Sequence, residues 1–363
     1  MLSNNQQAFL QLVRAGLWEK EVRLSQYGDV DFDEMYRLAQ EQSVIGLVAA
    51  GVERVVDIKV PKEIVFQFVG TTMQLEQRNL SMNRFVTKLF GKLKEKGVYA
   101  LLVKGQGIAQ CFERPLWRAA GDVDLLLDAK NYEKSKTLLS PLADEVDSED
   151  VCKKHQALKM EGFDVELHGR MPFLISNRVD KCIDSVILNS LSDDGKREWL
   201  INNDVVYLPN ADNDIILVFT HFLRHFFVEG VGLRQICDWC RLLWTYKDSL
   251  NYGLLESRIR KMGLMTEWRA FASLAVDTLG MPAETMPFYD VRYKDKADKV
   301  LRRVLKSGNF GHNNDLSYRI RYKGISYKIV ATWRRFFDFA SLAHVFPIDA
   351  PKFFLTYLFS KAK

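Results

Sequence analysis

Asp122-Val123-Asp124, at the head of the apolar run Leu125-Leu126-Leu127, is the segment that most restricts how this chain can fold. A β-strand turns alternate side chains to opposite faces, so the two carboxylates point the same way. Side by side in a half-buried place they repel by several kcal/mol unless cations lie between them. The segment therefore belongs at a strand end where a metal ion or basic side chains can gather. Upstream, Lys104-Gly105-Gln106-Gly107 follows the apolar strand candidate Val98-Tyr99-Ala100-Leu101-Leu102-Val103. Its glycines predict a tight turn into a helix beginning at Ile108.

The rest of the chain sorts by period. Apolar residues recur at helical spacing at Phe9, Leu10, Leu12, Val13 and Leu17, and again at Met35, Leu38, Ile45, Leu47 and Val48. A further helix is expected to start at Pro61, to carry Phe66, Phe68, Met73, Leu80, Phe85, Leu89 and Leu93 on its apolar face, and to end at Gly97. Residues 132–142 read as a helix. His155–Met160 and Phe163–His168 read as a hairpin around Glu161-Gly162, with Ala157 opposite Glu166, Lys159 opposite Asp164 and His155 opposite His168. Helices 214–228, capped by Asp212 or Asn213, and 233–246, after Gly230 and Gly232, close the region. The order predicts an α+β fold, a small mixed β-sheet core (97–210) between an N-terminal helical region (1–96) and a C-terminal one (211–363).

Chemistry on a nucleoside triphosphate asks for an anion cradle, metal ligands and an activated acceptor. Gly105 and Gly107 are expected to open backbone N–H groups toward an anion, helped by the positive end of the next helix. An ordinary strand–helix turn is the alternative reading of these glycines. Lys104 would meet a phosphate as a point charge and Arg118 as a planar fork. Asp122 and Asp124 are expected to hold Mg2+ or Mn2+.

Residues 101–127, LLVKGQGIAQCFERPLWRAAGDVDLLL, resemble the core signature of the nucleotidyltransferase superfamily: glycine turn, helix, then an Asp-x-Asp strand. More narrowly, the chain resembles a poorly characterised bacterial nucleotidyltransferase-like family with a Lys-Gly, Arg, Gly-Asp-hydrophobic-Asp core. That family carries acid-x-His on a later strand, matched by Glu166-Leu167-His168, and Arg-x-x-x-Asp on a later helix, matched by Arg234 and Asp238. The likeness spans roughly residues 40–245. It implies transfer of a nucleoside monophosphate from a triphosphate (ATP among the candidates) to an acceptor it does not name.

The resemblance also implies roles. Glu166 would be the third metal-holding acid, with Asp164 as the alternative; many relatives have Asp there. Arg234 would face phosphate or substrate, and Asp238 would orient it or act as a base, a simple ion pair between the two being the bland reading. Apart from the resemblance, His168 and His155 are expected either to orient the acceptor or the carboxylates or to form a satisfied polar pair, and His225, on the preceding helix, to face the same cleft. His221, His225, Cys237 and Cys240 also have spacing that zinc could use, although buried cysteines are common.

Composition bounds the remaining choices. The 363 residues are 47% hydrophobic and 27% charged, ordinary for a globular chain. No run is long enough to span a bilayer, no leader pattern opens the sequence, and five scattered cysteines predict a reducing, cytoplasmic setting. The core shows no basic excess, which argues against a nucleic-acid track and for a small-molecule, sugar or protein acceptor. Residues 301–363 carry 12 Lys/Arg against 3 Asp/Glu and are rich in aromatics, among them Tyr318, Tyr322, Trp333, Phe336 and Phe337. A helix pair packed on the body is the expected outcome, and docking at the inner membrane surface the alternative. The second function class is a non-catalytic nucleotide- or partner-binding protein on the same fold.

Overall fold

Helix α1 (Asn4–Trp18) starts at a capping box in which Ser3 and Gln6 satisfy each other's backbone N–H groups. Helices α2 (Phe32–Glu41) and α3 (Ile45–Val52) follow. α1 and α3 cross almost backbone to backbone. A Cβ on Gly16 would lie 1.8 Å from the Leu47 carbonyl oxygen, and one on Gly51 2.2 Å from that of Leu12. The structure, a computed structural model, describes residues 2–151, 153–201, 204–311, 313 and 324–361. Cys152, Tyr318 and Tyr322 lie outside the described residues.

Helix α4 (Lys62–Glu95) begins directly after Pro61 and ends before Gly97 at φ +64°, as expected. Its 34 residues give a rod about 50 Å long. Phe68, Phe85, Leu89 and Leu93 are buried, but Phe66, Met73 and Leu80, placed on the apolar face by periodicity, are exposed. The first half of the helix meets α2 and α3 along one side, so its other apolar residues face outward.

The core sheet is built from β1 (Leu101–Val103), β2 (Val123–Leu126), β3 (Glu145–Val146), β4 (His155–Met160) and β5 (Phe163–His168), in the order β1-β2-β5-β4-β3. The β2–β5 pair is parallel, joined by way of α6 (Ala129–Leu139), and the other pairs are antiparallel. The β4–β5 hairpin has the predicted register, with Ala157 opposite Glu166 and His155 opposite His168. Glu161 (φ +52°) and Gly162 (φ +80°) both take left-handed backbone, the geometry a two-residue hairpin turn needs.

Between β1 and β2 the short helix α5 (Gly105–Ala109) begins at Gly105, so the glycines form its first turn and not a loop ahead of it. The reversal is completed one residue earlier, by Lys104 at φ +58°. Helix α7 (Asn177–Ser190) and a hairpin of β6 (Lys196–Ile201) and β7 (Asp204–Pro209), lying beside β1, are elements that periodicity did not mark.

Helix α8 (Ala211–Val228) is capped by Asn210, whose side chain accepts from the Asn213 N–H, and not by Asp212 or Asn213. Asn213 and Asp214 are instead buried partners of Asn189 and Arg197. Helix α9 (Leu233–Tyr246) has the expected bounds. Helices α10 (Tyr252–Met262), α11 (Met265–Ser273) and α12 (Lys294–Ser307) lead to α13 (Gly324–Ala343) and α14 (Asp349–Lys361). Phe339, Leu342 and Phe353 fix the last two helices to the core, Phe353 meeting the Phe227 ring at 4.8 Å. Among the described residues no helix is long and apolar enough to cross a membrane.

The sheet has two faces with different company. Leu102, Val123, Leu125, Val165 and Leu167 pack against the α4 residues Phe85 and Leu89 and against Tyr132 of α6. Leu101, Val103 and Leu126 belong to the core that α8 and α9 share with the N-terminal helices. Asp124, Glu166 and His168 alternate onto this second face, so the carboxylates look toward α8.

Candidate active site

Parallel pairing of β2 with β5 sets Asp124 directly opposite Glu166. Carboxylate oxygens of Asp122, Asp124 and Glu166 all fall within 4.8 Å of one another. Asp164, one alternation earlier on β5, is exposed opposite Lys159 and stands outside this group.

Cations compensate two of the three acids. Lys104 Nζ and His168 Nε2 each reach the same Asp124 oxygen at 2.7 Å. His168 Nε2 is also 3.2 Å from Glu166 Oε2, and His155 Nε2 is 3.3 Å from that oxygen. Burial pushes the Glu166 carboxyl up, but its contacts with His155 and His168 outweigh burial and hold it far below the usual carboxylate range. Burial likewise disfavours charge on His168 and Lys104. Hydrogen bonds to Asp124 and Glu166 raise His168 regardless, and the field of Asp124, Asp122 and Glu166 raises Lys104. Asp122 differs: repulsion from Asp124, then burial, raises it, and no ion pair reaches it among the described residues.

Lys104 is aimed at Asp124 by its own left-handed backbone, a conformation costing about 1–3 kcal/mol in a non-glycine residue. Gly105, at φ +38°, lets α5 approach the start of β2, where an added Cβ would lie 3.2 Å from the Asp122 carbonyl oxygen. Gly107 has a packing reason as well, since a Cβ there would meet Leu208 at 2.8 Å.

Arg118 and Asp238, 120 residues apart, form a buried two-pronged pair at 2.7 and 2.8 Å. Asn79 of α4 holds the segment before it by donating to the Leu116 and Arg118 carbonyls. Asp238 thus orients Arg118 and not Arg234, its neighbour one turn back. Arg234 donates to the Ala119 carbonyl at 3.0 Å, while its Nε is buried without a partner. Burial, then the field of Arg118, lowers its hold on its proton. α9 is set in register by Gln42, whose side-chain and backbone oxygens accept from the Leu233 and Arg234 N–H groups.

Two cavities meet at Asp122. A small one of about 40 Å³ is walled by Gly105, Arg118, Asp122, Asp124, Arg234 and Asp238. A larger one of about 390 Å³ lies between the sheet residues Asp122, His155, Glu166 and His168 and one face of α8. That face comprises Leu217, Thr220, His221, Arg224 and His225. His225 Nδ1 contacts Glu229 at 2.8 Å, and its ring lies 4.5 Å from that of His221. Burial, then Lys104, holds His221 well below the ordinary histidine range.

Cys237 and Cys240 are fully buried free thiols of the α9 core, and burial raises both. Among the described residues two groups have metal-binding spacing, Asp122–Asp124–Glu166 and His155–Glu166–His168, and neither includes these cysteines. Periodicity missed Arg224 and the apolar stretch Met171–Leu174 at the larger cavity. The signal for Arg224 was present in His221-x-x-Arg224-His225, which shares one helical face.

No curated protein and no solved structure matches the chain. A family model described as uncharacterised nucleotidyltransferase matches residues 28–280, well over half of its length and including every site residue named above. The protein therefore belongs to this uncharacterised nucleotidyltransferase family.

Proposed function

We propose that the protein is a divalent-metal-dependent nucleotidyltransferase. The observation that carries this reading is the convergence of three carboxylates beside a guanidinium, Arg234, that has no counter-charge of its own. An all-oxygen set of this kind fits Mg2+ or Mn2+, and Asp122, Asp124 and Glu166 would hold it. The ion would supply charge neutralisation for the triphosphate. Arg234 and Lys104 bring positive charge to the phosphates, and Arg118, kept rigid by Asp238, walls their side of the site. An acceptor oxygen attacks the α-phosphorus, a new O–Pα bond forms, the Pα–O bond to the β-phosphate breaks, and pyrophosphate leaves. A hydroxyl acceptor gives its proton to water. The histidines His155 and His168 brace Glu166 for this work, and His225 stands on the acceptor side.

Release of pyrophosphate from magnesium-bound triphosphates, assayed across small hydroxyl and phosphate acceptors, tests the proposal. Asp124→Asn and Glu166→Gln should each abolish it in a folded protein; full activity in both would end this reading.

One observation favours a non-catalytic reading: Lys104 and His168 already neutralise Asp124 without any metal. Nucleotide binding without turnover under every acceptor would support it. The exposed Trp333, Phe336 and Phe337 on α13 support a peripheral membrane contact, which liposome sedimentation of the full chain would test.

A further inference from the structure

Among the described residues that line the larger cavity, one guanidinium makes no ion pair. Lys104 is paired with Asp124, Lys153 with Asp150 and Arg170 with Asp184. Arg224 has no hydrogen bond or ion pair to any described residue, and its Nε is buried without a partner. Glu229, just past the end of this helix, contacts His225 and feels the charge of Arg224 without an ion pair to it. The Arg224 side chain as a whole is half-buried and lines the cavity, and its buried Nε–H without an acceptor costs stability.

The placement is equally pointed. Arg224 and Arg234, each with an unpartnered Nε, stand at the two cavities that meet at Asp122. The small cavity, with Gly105 and Arg234, has room for little beyond phosphate groups. The larger one, at about 390 Å³, is the size of a small-molecule site and too confined for a polynucleotide strand or a protein surface. Its remaining wall, Met171, Phe173, Leu174 and Ile183, is apolar and offers such a molecule a face without charge.

We infer that the larger cavity receives the acceptor, and that the acceptor is a small phosphorylated molecule whose phosphate is taken by Arg224. The inference rests on the nucleotidyl-transfer reading. The guanidinium fork matches two phosphate oxygens at once, and the His221 ring, one turn back on α8 and lining the same cavity, adds a hydrogen bond. Held there, the molecule's reacting oxygen faces Asp122, where the α-phosphorus of the donor arrives from the other side.

The test uses the full chain and its six histidines. Imidazole resonances are followed by NMR while glucose 1-phosphate, glucuronate or glucose is added, in wild type, Arg224→Gln and Arg224→Lys. Glucose 1-phosphate should shift the His221 and His225 signals, with affinity weakened about tenfold or more in Arg224→Gln and partly restored in Arg224→Lys. Glucose should leave the signals in place; an equal response to glucuronate would widen the class from phosphates to anions and overturn the phosphate assignment. Equal response to glucose, or unchanged affinity in both variants, overturns the inference. So does loss of magnesium–triphosphate binding in Arg224→Gln with sugar phosphate binding intact, which would hand Arg224 to the donor. Should Arg224→Gln fail to fold, Arg224→Lys alone decides, because it keeps the charge and loses the fork. Triphosphate binding that is absent from wild type, beside intact sugar phosphate binding through Arg224, would instead remove the nucleotidyl-transfer reading.

Discussion

Asp122 is the acid of the cluster that its surroundings penalise, and Glu166 the one they reward. Asp124 raises the Asp122 carboxyl, so its charge destabilises the metal-free fold; His155 and His168 outweigh burial at Glu166, so its charge stabilises it. Asp122→Asn is therefore expected to raise the metal-free protein's melting temperature, by about 1 kcal/mol of stability, while abolishing turnover. Glu166→Gln should lower both. Thermal melts of the two variants without divalent ions check the opposite signs. Asp238 makes a different statement. Asp238→Asn leaves the Arg118 guanidinium buried and uncompensated, which should cost about 3–5 kcal/mol in a urea titration, far more than Asp122→Asn. A cost near zero would free Asp238 for a catalytic role. The Asp-x-Asp and acid-x-His patterns were readable because strand alternation alone brings their members to one face. The Arg118–Asp238 pairing was not, because the i,i+4 spacing to Arg234 offered a nearer partner and only tertiary packing selects the distant one.

At the scale of elements, the site depends on helices that carry none of its chemistry. Gln42, just past α2, accepts from the first two N–H groups of α9 and donates to the Val304 carbonyl of α12, with no part of it exposed. Gln42→Leu keeps the backbone acceptor of the Arg234 N–H and the Gly308 N–H on the Val304 carbonyl, but leaves the buried Leu233 N–H without a partner, at about 1–3 kcal/mol. Since α9 carries Arg234, triphosphate affinity should fall together with stability, which paired calorimetry and chemical unfolding would reveal; a variant with full stability and affinity would contradict this role. The β4–β5 register was legible because a two-residue turn permits one pairing. The β6–β7 hairpin was not, since Lys196–Ile201 mixes charged residues with apolar ones. The start of α8 was ambiguous because four capping residues stand in Asn210-Ala211-Asp212-Asn213-Asp214, and burial of Asn213 and Asp214 decided for Asn210.

Over the whole molecule, one sheet presents its carboxylates to a helical layer that supplies an unpaired arginine on either side. Helical content at both ends and the small mixed sheet were predictable from the change in hydrophobic period. The two-cavity arrangement was not, since it arises where α8 crosses the sheet face, and no local pattern encodes that crossing. The exposed stripe of α4 and the aromatic face of α13 show the same limit, because periodicity marks apolar positions without saying which of them find a neighbour. The central claim is that the three carboxylates form a metal-dependent triphosphate site. Calorimetric titration of ATP, GTP, CTP and UTP with magnesium, into wild type and the Asp122→Asn/Asp124→Asn double variant, tests it most directly. At least one triphosphate should bind only with magnesium, and the double variant, still folded, should lose this binding. Triphosphate binding that is equally strong without magnesium or in the double variant, or no binding of any of the four by wild type, would contradict it.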